Sequence, residues 1–338
     1  MEELNNRMVD PEESSFENDF KSESRLRPKN FTEYIGQKKV VRNIEVMVES
    51  AKLRQQPMDH VLLSGPPGLG KTSLAMIIKE VLGTELHVIS GPAIEKKGDL
   101  AAILTNLNPK DVLFIDEIHR MNVSVEEILY SAMEDFRLDI VLGQGPSART
   151  MQLDLAPFTL IGATTRSGLL SNPLRDRFMA NLHFDFYHNN ELAQIIGNNA
   201  CKLDIKLSET ARDLMSQCSR GTPRIANRIL RRVRDFTLVR GKDEICIEEV
   251  KTALDLMDID HLGLDRMDRK ILSVIDEYYG GGPVGIEALC ATLSEDRSTI
   301  EDVFEPYLLK EGFILRTPRG RAISDKSKDH LGSQKLLL

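Results

Sequence analysis

The chain has no excess of positive charge: 44 Lys+Arg stand against 52 Asp+Glu, a formal net charge of -8. That excludes a protein coated in basic residues. Any nucleic-acid contact must run through a local basic patch or a partner, because phosphate binding needs concentrated Lys and Arg. Closely spaced cysteines are also missing. Cys201, Cys218, Cys246 and Cys290 lack the short spacings of a zinc or redox site, which predicts reduced thiols in a cytosolic protein. No stretch approaches the ~20 apolar residues needed to span a bilayer, so no membrane association is expected. The acidic N-terminus lacks the basic-then-apolar order of a secretory signal. These absences together predict a soluble, cytoplasmic protein. Internal repeats and extended low-complexity segments are absent too.

What is present is an ordinary globular composition, 41% hydrophobic over 338 residues, enough for two or three domains each with its own core. Residues 1–24 hold eight acidic and two basic residues without apolar periodicity, and read as a solvated, disordered tail. Over residues 25–187, short apolar runs at 60–64, 86–90, 112–116, 158–163 and 181–186 alternate with helical patterns. This order predicts an α/β unit with a parallel sheet covered on both faces. Residues 137–142 and 150–155 flank Gly143-Gln144-Gly145-Pro146 and predict an inserted hairpin. Residues 188–258 are helical throughout, with Ser208 an expected N-cap and Pro223 an expected first-turn proline. Residues 259–334 predict three helices followed by a hairpin around Thr317-Pro318-Arg319-Gly320, the winged-helix pattern.

Gly65-Pro66-Pro67-Gly68-Leu69-Gly70-Lys71-Thr72 fits the phosphate-loop pattern G-x-x-x-x-G-K-[ST], between an expected strand and an expected helix. Glycines let backbone N–H groups turn around an anion, and the helix N-terminus adds positive potential. Lys71 is placed to reach the outer phosphates of ATP and Thr72 to ligate Mg2+. A chance glycine-rich turn is the bland alternative. Val112-Leu113-Phe114-Ile115 is an apolar strand ending in Asp116 and Glu117. Such a pair can be mere loop charge. Beside a phosphate loop it predicts Asp116 in the magnesium shell and Glu117 polarising the attacking water.

These segments resemble the AAA+ superfamily and, within it, the bacterial Holliday-junction branch-migration ATPases. The likeness runs from about Leu26 to Leu331. It is carried further by Leu26-Arg27-Pro28-Lys29, Glu33-Tyr34-Ile35-Gly36-Gln37, Gly162-Ala163-Thr164-Thr165-Arg166, Pro173-Leu174-Arg175-Asp176-Arg177-Phe178, Gly221-Thr222-Pro223-Arg224-Ile225-Ala226-Asn227 and Arg316-Thr317-Pro318-Arg319-Gly320-Arg321. The resemblance implies an AAA+ domain, a small helical lid and a C-terminal winged helix. It places Leu26, Arg27, Tyr34, Ile35 and Tyr187 at the adenine. Gly65, Gly68, Leu69, Gly70, Lys71, Thr72 and Ser73 fall at the phosphates and metal. Thr165 is implied as the γ-phosphate sensor, Arg177 as an arginine finger entering a neighbouring subunit's site, and Arg224 as a second sensor on the lid. Glu134, Asp135 and Phe136 are counted with the nucleotide-binding residues. Surface ion pairing is the bland alternative for Arg177 and Arg224. The family usually has glycine where Met179 stands, and a Cβ there disfavours positive φ.

Arg316, Arg319 and Arg321 crowd the C-terminal hairpin and suggest DNA phosphate contacts, with Arg297 as an added candidate. A solvated hairpin on a protein–protein module, and a plain helix-surface charge at Arg297, are the competing readings. The resemblance implies a homo-hexamer ring acting on double-stranded DNA at four-way junctions, with a RuvA tetramer and the RuvC nuclease as partners, in recombination, repair and the response to DNA damage. The inserted hairpin offers Ile140, Val141, Leu142 and Met151 either as a docking surface or as packing on its own domain. A clamp-loader-like ATPase and a nucleotide-gated DNA-binding regulator are the rival functions; the arginine-bearing wing disfavours the first, and Glu117 with Arg177 the second.

Overall fold

The computed structural model describes residues 25–142 and 149–335. The acidic segment 1–24, the turn Gly143-Gln144-Gly145-Pro146 and the side chains of Ile140, Val141 and Leu142 lie outside the described residues.

Among the described residues seven strands run through the first unit: β1 (Val61–Ser64), β2 (Leu86–Ser90), β3 (Val112–Asp116), β4 (Arg137–Leu142), β5 (Arg149–Asp154), β6 (Thr159–Thr164) and β7 (Ala180–His183). β4 and β5 pair antiparallel as the inserted hairpin. The other five form one parallel sheet in the order β2-β3-β6-β1-β7. Alternation along the strands sends side chains to two separate cores. Val61, Leu63, Val112, Phe114, Ile161 and Ala163 join one, while Leu62, Leu113, Ile115 and Leu160 join the other, as the period of two requires. Burial on both faces explains why these strands read as unbroken apolar runs. β7 is shorter than its apolar run predicts. Phe184 still donates its N–H to Ser64 O at 2.8 Å, but the chain then leaves the sheet edge. Because all five strands are parallel, the loops after β1, β3 and β6 emerge on one side, where strand order reverses and a ligand crevice opens.

The second unit is helical: Asn189–Lys202, Glu209–Gln217, Pro223–Val239 and Ile247–Leu256. Ser208 caps the second helix by accepting from Ala211 N–H, and Thr222 caps the third, with Pro223 in its first turn. Ala226, Ile229, Leu230 and Val233 recur at helical spacing and are fully buried. They share a core with Phe184, Tyr187 and the sheet helices, so the lid packs directly on the ATPase unit. Two short strands, β8 (Lys206–Leu207) and β9 (Glu244–Ile245), pair in parallel here. Two-residue strands carry no periodicity, so nothing in the sequence marks them.

The third unit has its own core, built on helices Arg266–Tyr279 and Ile286–Leu293 and on the hairpin β10 (Ile314–Thr317) and β11 (Gly320–Ile323). Val284 bridges to Arg321 and adds a third short strand segment. Two features depart from the sequence reading. The helical stretch 297–310 contains a π turn at Ile300–Phe304, and a last helix, Asp325–Lys335, follows the hairpin. That helix is strongly polar, and Ser327, His330 and Leu331 are its buried contacts among the described residues, too sparse for an amphipathic signal.

Candidate active site

The phosphate loop links β1 to the helix Lys71–Leu82. Gly65, Gly68 and Gly70 have φ of +132°, +79° and +96°. Space is equally restrictive. A Cβ would stand 2.5 Å from Phe184 O at Gly65, 3.0 Å from Arg224 Cβ at Gly68, and 2.6 Å from Tyr34 Oη at Gly70. Only glycine satisfies both conditions. The loop is also held from outside. Tyr34 Oη donates to the carbonyls of Leu69 (3.4 Å) and Gly70 (3.2 Å), and Tyr187 Oη to Leu69 O (3.2 Å). Burial raises the Tyr34 phenol well above its ordinary value and Tyr187 to about 12, so both remain donors.

Lys71 is 8% exposed, and its ammonium donates to Gly65 O at 2.7 Å and Pro66 O at 2.9 Å. Burial lowers its pKa to about 8; Asp116 pulls it up and Arg224 pushes it down. β3 ends at Asp116, whose Oδ1 accepts the Glu117 N–H at 2.9 Å. Glu117 then turns with φ +48° into a 3-10 turn, and its carboxylate accepts from Arg120 Nη1 at 2.8 Å. The first turn of the third lid helix touches the loop through Arg224 N–H to Gly68 O, 3.3 Å.

A cleft of about 430 Å³ collects Gly68, Leu69, Gly70, Lys71, Thr72 and Ser73 with Asp116, Glu117, Thr165 and Arg224. It runs into a more apolar hollow of about 300 Å³, lined by Leu26, Arg27, Tyr34, Ile35 and Tyr187. Leu26, Arg27, Gly70, Ser73 and Pro223 line both. A polyanion-binding end and a ring-sized apolar end therefore form one continuous site. The donor set fits a nucleotide with magnesium: one hydroxyl at Thr72 and one carboxylate at Asp116 leave most metal positions to phosphate and water, as Mg2+ prefers. Asn227 also lines both cavities and accepts from Asn199 at 2.7 Å. The sequence reading quoted it in the segment 221–227 without giving it a role. Its signal was position, since it lies one turn after Arg224 on the same helix face.

Arg177 does not line this cleft. Its guanidinium donates to Pro173 O at 2.7 Å and to Glu134 at 3.1 Å, and lies 4.6 Å from the centre of the Tyr130 ring. Phe136 shares a separate hollow with it. Asp135 directly follows Glu134, which ends the helix Val123–Glu134. Glu134, Asp135 and Phe136 thus belong beside the finger candidate, because β4 begins there, outside the parallel sheet. Met179 follows without positive φ among the described residues. Its N–H donates to His60 O at 3.0 Å, and its side chain is 74% exposed, so the Cβ meets no obstacle.

The winged-helix arginines divide. Arg319 is exposed at the hairpin turn. Arg316 is 57% exposed and reaches Glu305 at 3.4 Å. Arg297 is exposed and pairs with Glu287 and Glu301. Arg321 does not face outward as the turn suggested. It is 8% exposed, bidentate to Glu305 at 3.0 Å and bonded to Glu301 at 3.0 Å. Arg321 sits opposite Arg316 in the hairpin register, so both point to the acidic helix face, and the more interior one is consumed by it.

Three family models match in succession. The Holliday junction DNA helicase RuvB P-loop domain covers residues 26–184, the RuvB AAA lid domain 187–260, and the RuvB C-terminal winged helix domain 261–332. The chain is 57% identical over 307 residues to the Holliday junction branch migration complex subunit RuvB of Kosmotoga olearia, covering 91% of this chain and 90% of that one. The Thermotoga maritima RuvB Holliday junction branch migration motor superposes with a TM-score of 0.85 at 51% identity, over 91% of this chain and 98% of that one. A substituted form of the same Thermotoga protein gives 0.86 at 51% identity, with the same coverage. With its phosphate cleft, lid and winged helix in this order, the chain belongs to the RuvB family of AAA+ branch-migration motor ATPases.

Proposed function

We propose that ATP is hydrolysed at a seam between two copies of this chain, and that a homo-hexameric ring uses the cycle to drive duplex DNA and move four-way junctions. The observation that carries this reading is the split of the site. One chain's cleft gathers the loop, both acids, Thr165 and Arg224, while Arg177 is directed elsewhere. The transferred phosphoryl builds negative charge, and an arginine supplied in trans accelerates such a step by about 10³–10⁵.

In the proposed step, Glu117 takes a proton from the attacking water as its oxygen bonds to the γ-phosphorus. The β–γ bridging oxygen leaves with the electron pair. Lys71, the loop N–H groups and the neighbour's Arg177 stabilise the charge, and Thr165 senses the γ-phosphate. Magnesium, held through Thr72 and Asp116, would neutralise the phosphate oxygens. Arg224 would report nucleotide state to the lid. Arg319, Arg316 and Arg297 would contact DNA phosphates without reading bases. Each such patch is small, so affinity would come from repetition around the ring, and a junction-binding RuvA tetramer would supply structure specificity, with RuvC acting on the same junctions.

The test is purified protein with RuvA, ATP, Mg2+ and a synthetic four-way junction. ATP-dependent strand exchange is expected, and its absence sinks the reading. Glu117→Gln should retain ATP binding and abolish phosphate release.

A further inference from the structure

One arginine joins the ATPase unit to the winged helix. Arg166 directly follows the proposed sensor Thr165, after β6. Its Nε donates to Asp302 Oδ1 at 2.5 Å, and its Nη2 lies 3.5 Å from Glu301 Oε2. Both acids sit in the π turn Ile300–Phe304, a local distortion common where helices do work. The backbone of Arg166 is tied to the catalytic turn. Its N–H donates to Thr164 Oγ1 at 3.0 Å, and that hydroxyl bonds His119 Nδ1 at 3.0 Å. His119 lies two residues beyond Glu117 in the same 3-10 turn.

Glu301 is shared between this contact and the DNA-facing side. Its Oε2 is approached by Arg166 at 3.5 Å and by Arg297 at 3.2 Å. Its Oε1 is approached by Arg321 at 3.0 Å and Arg316 at 3.8 Å. Arg297 and Arg316 are the exposed members, so a phosphate that engages them competes with Glu301 for the same guanidinium groups. Whatever Arg297 gives up on Oε2 becomes available to Arg166.

We propose that Arg166 is a positioning residue for the Thr165 sensor, and that Glu301 and Asp302 pass DNA engagement to it. DNA phosphates draw Arg297 and Arg316 away, Glu301 closes on Arg166 beside the standing Asp302 pair, and the segment 164–166 is steadied against the nucleotide. By linkage, nucleotide state alters DNA affinity by the same factor. This inference rests on the translocase reading above.

The experiment measures ATP turnover by the full chain with and without duplex DNA, and DNA affinity by anisotropy with ADP and with a non-hydrolysable ATP analogue. In Arg166→Ala and in the near-isosteric Asp302→Asn, basal turnover and the KM for ATP are expected within about two-fold of the unaltered chain. The analogue-to-ADP affinity ratio should fall by about five-fold or more, and the DNA-induced rise in kcat should be largely lost. The conservative Arg166→Lys, which keeps a cation facing both carboxylates, should recover most of both. Unaltered stimulation in Arg166→Ala and Asp302→Asn overturns the proposal, as does failure of Arg166→Lys to recover it while melting normally. If the unaltered chain itself shows no DNA stimulation, the translocase reading has failed, and that is visible before any variant is compared.

Discussion

Lys71 carries a protonation signature that can be measured. Burial holds its ammonium near pKa 8 in the free protein. A bound triphosphate brings opposite charge to the same atom and must raise that value. Well below pH 8 the lysine is charged with or without nucleotide, so binding takes up almost no proton there. Above about pH 8 the free protein has begun to lose that proton and the complex has not. Binding should then take up a proton, and affinity should weaken as pH rises. Calorimetry at about pH 8.5 in buffers of different ionisation enthalpy should report uptake of about half a proton or more. At pH 6.5 the lysine's share should vanish. The loop around Lys71 was legible in the sequence because one of its conditions is local: Gly65, Gly68 and Gly70 meet positive φ, whereas the neighbours that crowd them, Phe184, Arg224 and Tyr34, come from far along the chain. Tyr34 and Tyr187 were placed by resemblance alone, since their bonds to Leu69 O span 35 and 118 residues.

At the scale of elements, the terminal hairpin separates recognition from support. Arg319 projects from the turn, whereas Arg321 is spent on Glu305 and Glu301. Arg319→Ala should leave melting unchanged and weaken duplex binding, lowering the slope of log affinity against log salt by about 0.9 for each phosphate no longer neutralised. Arg321→Met should do the reverse to stability. It leaves Glu305, 2% exposed, short of its bidentate partner, a loss of about 3 kcal/mol for a broken buried pair, read by denaturant unfolding. A small stability change in Arg321→Met would show the pair to be dispensable. The hairpin's existence and tip were legible from Thr317-Pro318-Arg319-Gly320. Its inner face was not, because that depends on Glu301 and Glu305 arriving from a helix whose π turn leaves no mark in apolar spacing. The inner strands of the sheet were the most legible elements, since burial on both faces makes β1, β3 and β6 short apolar blocks. The polar last helix was the least.

In the proposed seam one copy supplies the loop, both acids, Thr165 and Arg224, and its neighbour supplies Arg177, so turnover would depend on assembly. The order of the three units was readable from motifs, but which surfaces meet was not. Arg166 finds Asp302 across 136 residues, and Arg220 finds Asp265 and Asp268 across 45 and 48, pairings that no local pattern encodes. A seam between copies lies further still from sequence patterning. Two measurements address it. Turnover per chain should fall as protein is diluted below the concentration at which sedimentation shows the ring dissociating, whereas a self-sufficient cleft would keep its rate. Arg177→Ala should bind nucleotide normally and lose hydrolysis by about 10³-fold, and Lys71→Ala should fail at binding. Each variant alone is inactive for a different reason. In a mixed assembly, some seams pair the intact cleft of an Arg177→Ala chain with the intact finger of a Lys71→Ala chain. With random mixing at equal amounts, about a quarter of seams are of this kind, so recovered activity should approach that fraction if seams act independently. No recovery in verified mixed rings, with full turnover by dilute monomer, would place the arginine's role within its own chain.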